Sequence, residues 1–173
     1  MKSKKLLSII LALAMMFSVL PASTVLVHAE AITETISADT TWNDGDTVGG
    51  VTISGGTVTI NGDVGITAEI TIKGNVTFTG GGTLNRMSPS GNLIKVESGS
   101  LTLNNVTIDG TDVTISDSWT AAAINMAGGT VIMNDGAKIT NHKRTSGYGP
   151  AVYMAGGNFK MKGGTISGCE SRN

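Results

Sequence analysis

Residues 124–134, with the sequence INMAGGTVIMN, contain two short runs of alternating apolar and polar residues, one on each side of a glycine pair. Alternation with a period of two is typical of a β-strand that buries one face. Gly128 and Gly129 can adopt positive φ angles and turn the backbone sharply between the runs. Asn134 tolerates the left-handed region and indicates a second bend. The stretch therefore predicts two short strands, each followed by a tight turn.

The same pattern recurs along the chain. Its best-preserved copies are Val51–Ile60, Ile94–Leu103, Ile124–Met133 and Val152–Met161, and a more divergent copy begins at Ile70. A third strand follows in the better-preserved copies, with the pairs Val106 and Ile108, Ala137 and Ile139, and Thr165 and Ile166. Variation in length collects in the connection after this third strand, where residues 110–120 and 141–150 are inserted. Each repeat is therefore predicted to contain three short strands, two tight turns and one variable loop.

Three short strands per repeat describe a triangular coil. One coil cannot bury its own inward side chains, but coils stacked about 4.8 Å apart bury those of their neighbours. The sequence thus predicts an all-β protein, a right-handed, single-stranded parallel β-helix of about five short coils over residues 51–173. An antiparallel sandwich is the alternative for regularly spaced short strands. It does not explain why glycine pairs and asparagines recur at fixed offsets.

The N-terminal residues have the three regions of a signal peptide. Basic residues in Met1–Lys5 precede an apolar run, Leu6–Leu20, and a stretch of small residues that ends near Ala29. We expect cleavage after Ala29 and hence a secreted or cell-surface location. An uncleaved anchor helix is the alternative, but an apolar run of about 15 residues is short for the roughly 20 that a bilayer span requires. No membrane span is expected after cleavage.

The composition of the chain after cleavage argues against nucleic-acid binding and against stabilisation by disulfide bonds. Beyond residue 29 the chain has nine basic and thirteen acidic residues, a net charge of −4, so nucleic-acid binding is not expected. Cys169 is the only cysteine in the sequence, so no intrachain disulfide can form. Stability is expected to come from repeated backbone pairing and from burial of apolar side chains.

Both ends of the predicted solenoid need a cover for their inward side chains. Residues 30–50 are predicted to form an N-terminal cap, because they contain Ile36, Trp42 and a turn sequence at 43–46. After the copy that begins at Val152, no further repeat follows. The sequence is therefore expected to be the N-terminal fragment of a longer array, or to have another chain stacked on that coil.

Two segments carry a resemblance to a known family. GGTVIMN at 128–134 and MKGGTISG at 161–168 resemble the repeats of pectin-lyase-like right-handed β-helices and, more narrowly, those of adhesin-like surface proteins of gut Gram-positive bacteria. The resemblance covers residues 51–173. It implies a secreted or cell-surface module for adhesion or structural presentation, with host or cell-wall glycans or surface proteins as partners. Because the same fold carries enzymes, the alternative is a polysaccharide lyase or glycoside hydrolase whose catalytic coils lie beyond residue 173.

No catalytic constellation is visible in the sequence. The outward positions of the first predicted strand are Thr52, Lys95, Asn125 and Tyr153, which include no carboxylate. No catalytic residue, metal site or cofactor is therefore predicted. The variable loops supply weak binding candidates, which are Asp109, Asp112, His142, Lys143 and Arg144.

The two loops are expected to lie on adjacent coils, because Ile108 and Ile139 hold equivalent positions. An acidic side chain could then approach a basic one. A solvated pair of loops joined by salt bridges is expected rather than a catalytic site.

Overall fold

The structure, a computed structural model, describes residues 34–111, 113–116 and 121–172. All regular secondary structure in these ranges is β-strand, and none of their segments is a helix that could cross a membrane. The predicted signal peptide, residues 1–29, lies outside the described residues, and so does Asp112.

The strands are short and follow one another closely along the chain. They are β1 (Thr35–Ile36), β2 (Thr40–Asn43), β3 (Thr47–Val48), β4 (Thr52–Asn61), β5 (Asp63–Ile66), β6 (Ile70–Thr79), β7 (Thr83–Arg86), β8 (Ile94–Val96), β9 (Ser100–Leu103), β10 (Thr107–Asp109), β11 (Thr114–Ile115), β12 (Ile124–Met126), β13 (Thr130–Met133), β14 (Lys138–Thr140), β15 (Lys143–Arg144), β16 (Val152–Met154), β17 (Asn158–Met161), β18 (Thr165–Ser167) and β19 (Glu170–Ser171).

Every strand pairs in parallel with strands of an adjacent turn of the chain, never with its neighbour in sequence. The described strands form six stacked coils, which are β1–β3, β4–β5, β6–β7, β8–β11, β12–β15 and β16–β19. The predicted parallel β-helix is confirmed. In the second and third coils, β4 and β6 are single long strands that occupy two faces, with a register shift between Ile53 and Gly55.

Residues in register on successive coils form columns along the β-helix. One inward column contains Ile36, Ile53, Ile72, Val96, Met126 and Met154. The first five of these side chains are buried. Near the N-terminal end the buried Trp42 packs edge-on against Phe78, with ring centroids 5.9 Å apart. The core is therefore a narrow stack of apolar columns along the β-helix.

The predicted glycine turns are present, and close contact between coils explains them. Gly129 has a φ of +68°, and a Cβ atom there would lie 2.7 Å from the carbonyl oxygen of Gly99 on the preceding coil. No other residue type fits at that distance. In the last three coils this corner keeps the same length, from Val96 to Ser100, from Met126 to Thr130 and from Met154 to Asn158.

The asparagine column differs from the prediction. Among non-glycine residues that the structure describes, the left-handed region is occupied by Asn105 and Asn141 rather than by Asn104 or Asn134. Asn134 Nδ2 instead donates a hydrogen bond of 2.6 Å to Asn104 Oδ1. The two side-chain amides are thus hydrogen-bonded to each other between coils, and the bend lies one or two residues further along the chain, at Asn105 and Gly136.

Two other segments are more regular than expected. Residues 34–50 form a coil of their own, since β1 and β2 pair with β4 and β3 pairs with β5. The segments 110–120 and 141–150, predicted as loops, each contain a two-residue strand, β11 or β15. With β19 these make a fourth parallel face that is confined to the last three coils. Two-residue strands show no periodicity, so the sequence pattern could not reveal them.

Candidate functional site

The fourth face has one outward and one inward column. Thr114, Lys143 and Glu170 are in register on the outward side, and Ile115, Arg144 and Ser171 on the inward side. Backbone hydrogen bonds continue the ladder beyond the strands, from Thr145 N to Ile115 O at 3.0 Å and from Arg172 N to Arg144 O at 3.1 Å. The face therefore brings side chains of three successive coils together.

A shallow cavity of about 90 Å³ lies on this face, and we call it the fourth-face groove. It is lined by Thr114, Lys143, Arg144, Thr145, Glu170 and Arg172. Lys143, Glu170 and Arg172 are exposed. No ion pair with a described residue engages these three side chains, because the salt bridges of the described region lie at Lys73, Lys95 and Glu97. The groove thus offers two cations, one carboxylate and two threonine hydroxyls.

Arg144 has a structural role beneath the groove. It is buried, and its Nε donates to the Ser146 carbonyl at 3.0 Å. Its Nη1 donates to the carbonyls of Tyr148, at 2.8 Å, and Ala121. These carbonyls belong to the connections that leave the fourth and fifth coils. Arg144 therefore holds both connections against the inside of the fourth face.

His142 is fully buried where the third and fourth faces meet. Neither ring nitrogen has a hydrogen-bond partner among the described residues. Burial, reinforced by the charge of Arg86, lowers the pKa of His142 to about 4, while the polar backbone at Ile108 and the Asp109 carboxylate oppose this shift. The imidazole is consequently uncharged at neutral pH, in a position that solvent does not reach.

The expected solvated, salt-bridged loop is therefore wrong for His142 and Arg144, both of which are buried. Asp109 accepts hydrogen bonds from the Thr111 N–H at 2.9 Å and from Asn141 Nδ2 at 3.2 Å. Asp109 thus stabilises the corner between the third and fourth faces. The predicted equivalence of Ile108 and Ile139 is confirmed, because the two residues are in register on β10 and β14. Of the four loop candidates that the structure describes, Lys143 is the one that lines the groove with an exposed charge.

A second buried arginine was missed in the sequence. Arg86 is in register with Ile66 and points into the core. It donates hydrogen bonds to the carbonyls of Ser88 at 3.2 Å, Gly91 at 3.0 Å and Ala122 at 3.0 Å. The alternation of inward and outward residues in β7 assigns residue 86 to the inside of the coil. Its burial could therefore have been predicted from the sequence.

A small cluster of charged side chains lies on the outer surface at β6 and β8, which begin the third and fourth coils. Glu97 lies 2.8 Å from Lys95 and 3.5 Å from Lys73. The hydrogen bond from Lys95 lowers the pKa of Glu97 and raises that of Lys95. Since all three side chains are solvated, the cluster contributes little to stability. It is a surface ion-pair network.

The described residues were searched for a metal-binding cluster and for a reactive thiol. These ranges hold no group of three or more His, Cys, Asp or Glu side chains placed to bind a metal ion. Burial raises the pKa of the half-buried Cys169 thiol, which contacts the Ser167 carbonyl at 3.4 Å. A thiol of this kind is protonated at neutral pH and is a poor nucleophile.

Comparison of the chain with protein-family models, with curated proteins and with solved structures finds no match in any of the three. The feature that bears on function in the described region is therefore the fourth face, with its groove of exposed charged side chains.

Proposed function

We propose that the protein is a secreted or cell-surface β-helix module for adhesion or structural presentation, and that the fourth-face groove is its contact surface. The proposal also draws on the resemblance to adhesin-like β-helix repeats. The observation that carries it is the set of exposed charges in the groove, Lys143, Glu170 and Arg172, which no ion pair with a described residue neutralises.

The chemistry of the groove suits a polar, hydroxylated ligand. Lys143 and Arg172 are hydrogen-bond donors, Glu170 is an acceptor, and the hydroxyls of Thr114 and Thr145 can be either. Such a set can satisfy the donors and acceptors of a glycan or of a polar peptide surface. Arg172 can in addition bind a carboxylate or another oxyanion with two parallel hydrogen bonds.

The backbone beneath the groove favours binding because it fixes the spacing of these side chains. Thr114, Lys143 and Glu170 stand on three hydrogen-bonded parallel strands, about 4.8 Å apart from coil to coil. Arg144 ties the adjoining connections to the inside of the same face. Little ordering of the backbone is then required when a ligand binds, and the entropic cost of binding is reduced.

A glycan array and a pull-down of surface proteins with the full chain test the proposal. The variant K143A/R172A should lose at least tenfold in bound signal. The matched control K73A/K138A also removes two exposed positive charges, but from other faces of the β-helix. It should bind as the unmodified chain does. Equal loss in both variants would show a nonspecific charge effect and would remove the groove from the proposal. Clean negatives in both assays would leave a passive stalk.

A further experiment addresses enzymatic activity. The complete protein, with any coils beyond residue 173, is incubated with pectins and related uronic polymers, and the release of unsaturated or reducing ends is measured. We expect no product, since the outward residues of β4, β8, β12 and β16 form no carboxylate cluster. Product formation would replace the binding module with the lyase or hydrolase alternative.

A further inference from the structure

The fourth face carries little apolar surface on its inner side. Its inward column holds Ile115, Arg144 and Ser171, of which only the first is apolar. An inward column of the first face instead has an apolar residue in every described coil, from Ile36 to Met154. Each described strand of the fourth face also has just two residues. Because burial of apolar surface is the main stabilising term, this face is expected to open at a lower free energy than the first face.

The segment 141–145 links the buried His142 to the fourth-face groove. The His142 carbonyl accepts a hydrogen bond from the Glu170 N–H at 2.9 Å, and Lys143 is the next residue along the chain. The side chains of Lys143 and Glu170 both line the groove. A displacement of His142 therefore moves Lys143 and breaks the hydrogen bond that anchors the backbone of Glu170.

The site of His142 suits an uncharged ring. The residue is fully buried, and neither ring nitrogen has a hydrogen-bond partner among the described residues. Gly110 lies so close that a Cβ atom there would be 2.8 Å from the ring. Protonation would add a positive charge in a place where solvent does not reach the ring and no described residue bonds to its nitrogens. Such a charge is costly to bury.

The surrounding elements do not compensate an added charge. Burial, followed by the charge of Arg86, lowers the pKa of His142 to about 4 from its ordinary 6.5. Asp109 opposes this shift, but its carboxylate already accepts two hydrogen bonds. The Cys169 thiol is uncharged at neutral pH, because burial raises its pKa. An imidazolium would therefore be a third buried cation among the described residues, in addition to Arg86 on β7 and Arg144 on β15.

We propose that the fourth face opens locally in acid, with protonation of His142 as the trigger. The imidazolium reaches water when the segment 141–145 leaves the corner between the third and fourth faces, while the first three faces stay paired. The opening itself does not depend on the proposed function. Its consequence does: the groove is dismantled as Lys143 moves, so that acid releases whatever the groove holds at neutral pH.

The size of the effect follows from proton linkage. Below pH 6.5 the open form takes up a proton at His142 that the closed form does not, so opening becomes more favourable as the pH falls towards 4. Between pH 7 and pH 5 the equilibrium constant for opening should increase about 20-fold. Below pH 4 both forms are protonated, and the increase ends.

Hydrogen exchange of the full chain, without any ligand, tests the opening. Protection factors correct for the effect of pH on the intrinsic exchange rate, and they are compared at pH 7 and pH 5. The Thr145 N–H, which donates to the Ile115 carbonyl at 3.0 Å, reports on the fourth face. The amides of β13 report on the second face of the same coil. Protection of Thr145 should fall about 20-fold, and at both pH values it should be at least about tenfold lower than that of β13.

The variant H142F retains a ring of similar size but has no titrating group. Protection of Thr145 in H142F should change by less than about threefold between the two pH values. Circular dichroism checks that the variant is folded, and H142Q, which is polar but uncharged, takes its place if it is not. The pH dependence in the unmodified chain needs neither variant.

Three results would overturn the proposal. They are unchanged protection of Thr145 in the unmodified chain, equal protection of Thr145 and β13 at pH 5, and the same loss in the His142 variant. The second result would mean that the fourth face opens only when the whole molecule unfolds. Because no ligand is present, a negative glycan array would count against the proposed function and would leave the exchange result unaffected.

Discussion

Asn134 stands directly on Asn104 of the preceding coil, and its Nδ2 donates a hydrogen bond of 2.6 Å to Asn104 Oδ1. Both side chains are half-buried, at the corner where the second strand of each coil ends. N134A is expected to lower the free energy of unfolding by about 1 kcal/mol, the usual net value of one such bond. Urea denaturation measures the loss. N158A changes an exposed asparagine on the next coil and should cost less than half as much; equal losses would argue against a stabilising hydrogen bond between Asn134 and Asn104.

Gly110 provides the space in which His142 packs. A Cβ atom at Gly110 would lie 2.7 Å from the carbonyl oxygen of Asn141 and 2.8 Å from the His142 ring. G110A should therefore destabilise the fold by about 1–3 kcal/mol, in the range of other overpacked sites. G55A is the control, because its nearest neighbour would be the Asn75 carbonyl oxygen at 3.8 Å and its φ is not positive. Thermal melts compare the two, and a G110A protein as stable as G55A would contradict this packing.

His142 should make stability depend on pH in a defined range. The pKa of His142 is about 4 in the folded chain because burial disfavours the charged ring, and 6.5 is the ordinary value. Below pH 6.5 the unfolded chain takes up a proton that the folded chain does not, so stability falls until the pH reaches about 4. The total loss is about 3 kcal/mol.

H142F retains a ring of similar size and removes the titration. Urea midpoints at pH 7 and pH 4.5 should therefore differ less for H142F than for the unmodified chain. The carboxylates titrate in both proteins, so the difference between the two pH profiles isolates His142. Parallel profiles would mean that the imidazole does not control acid stability.

Arg86 should contribute strongly to stability although it carries a buried charge. Replacing it with methionine removes the donors to the carbonyls of Ser88, Gly91 and Ala122. The loss is expected to be about 2–4 kcal/mol, because several buried carbonyls lose a charged donor together. K73M, at an exposed lysine, should change stability by less than about 0.5 kcal/mol. Hydrogen exchange at residues 87–93 should accelerate in R86M, and unchanged exchange there would contradict the role of Arg86.

Local periodicity was sufficient to predict the architecture. The pairs Ile124 and Met126, and Val131 and Met133, are buried on adjacent strands as their alternation indicates. The offsets between copies also gave the correct stacking of Ile108 on Ile139. These features depend on alternation over one or two residues and on the recurrence of the same pattern in successive copies, and both are directly visible in a sequence.

The fourth face could not be predicted in the same way. β15 has two residues, and its inward position holds Arg144, a residue type that usually marks a solvated surface. Its burial depends on carbonyls of Ala121, Ser146 and Tyr148, which come together only after the coils have stacked. For the same reason His142 was expected in solvent. Lys143 was recognised as a candidate, whereas Arg172 and Glu170 lie on the following coil and were not associated with it.

The connection after the third face is the place where coils differ most in length, from the three residues between Ile66 and Ile70 to the segment between Asp109 and Ile124. The columns on the other faces remain in register across this variation. Foreign peptides, such as epitopes or affinity tags, can therefore be grafted at this corner without altering the rest of the β-helix, and several grafts on successive coils would be displayed in a row along one side of the rod.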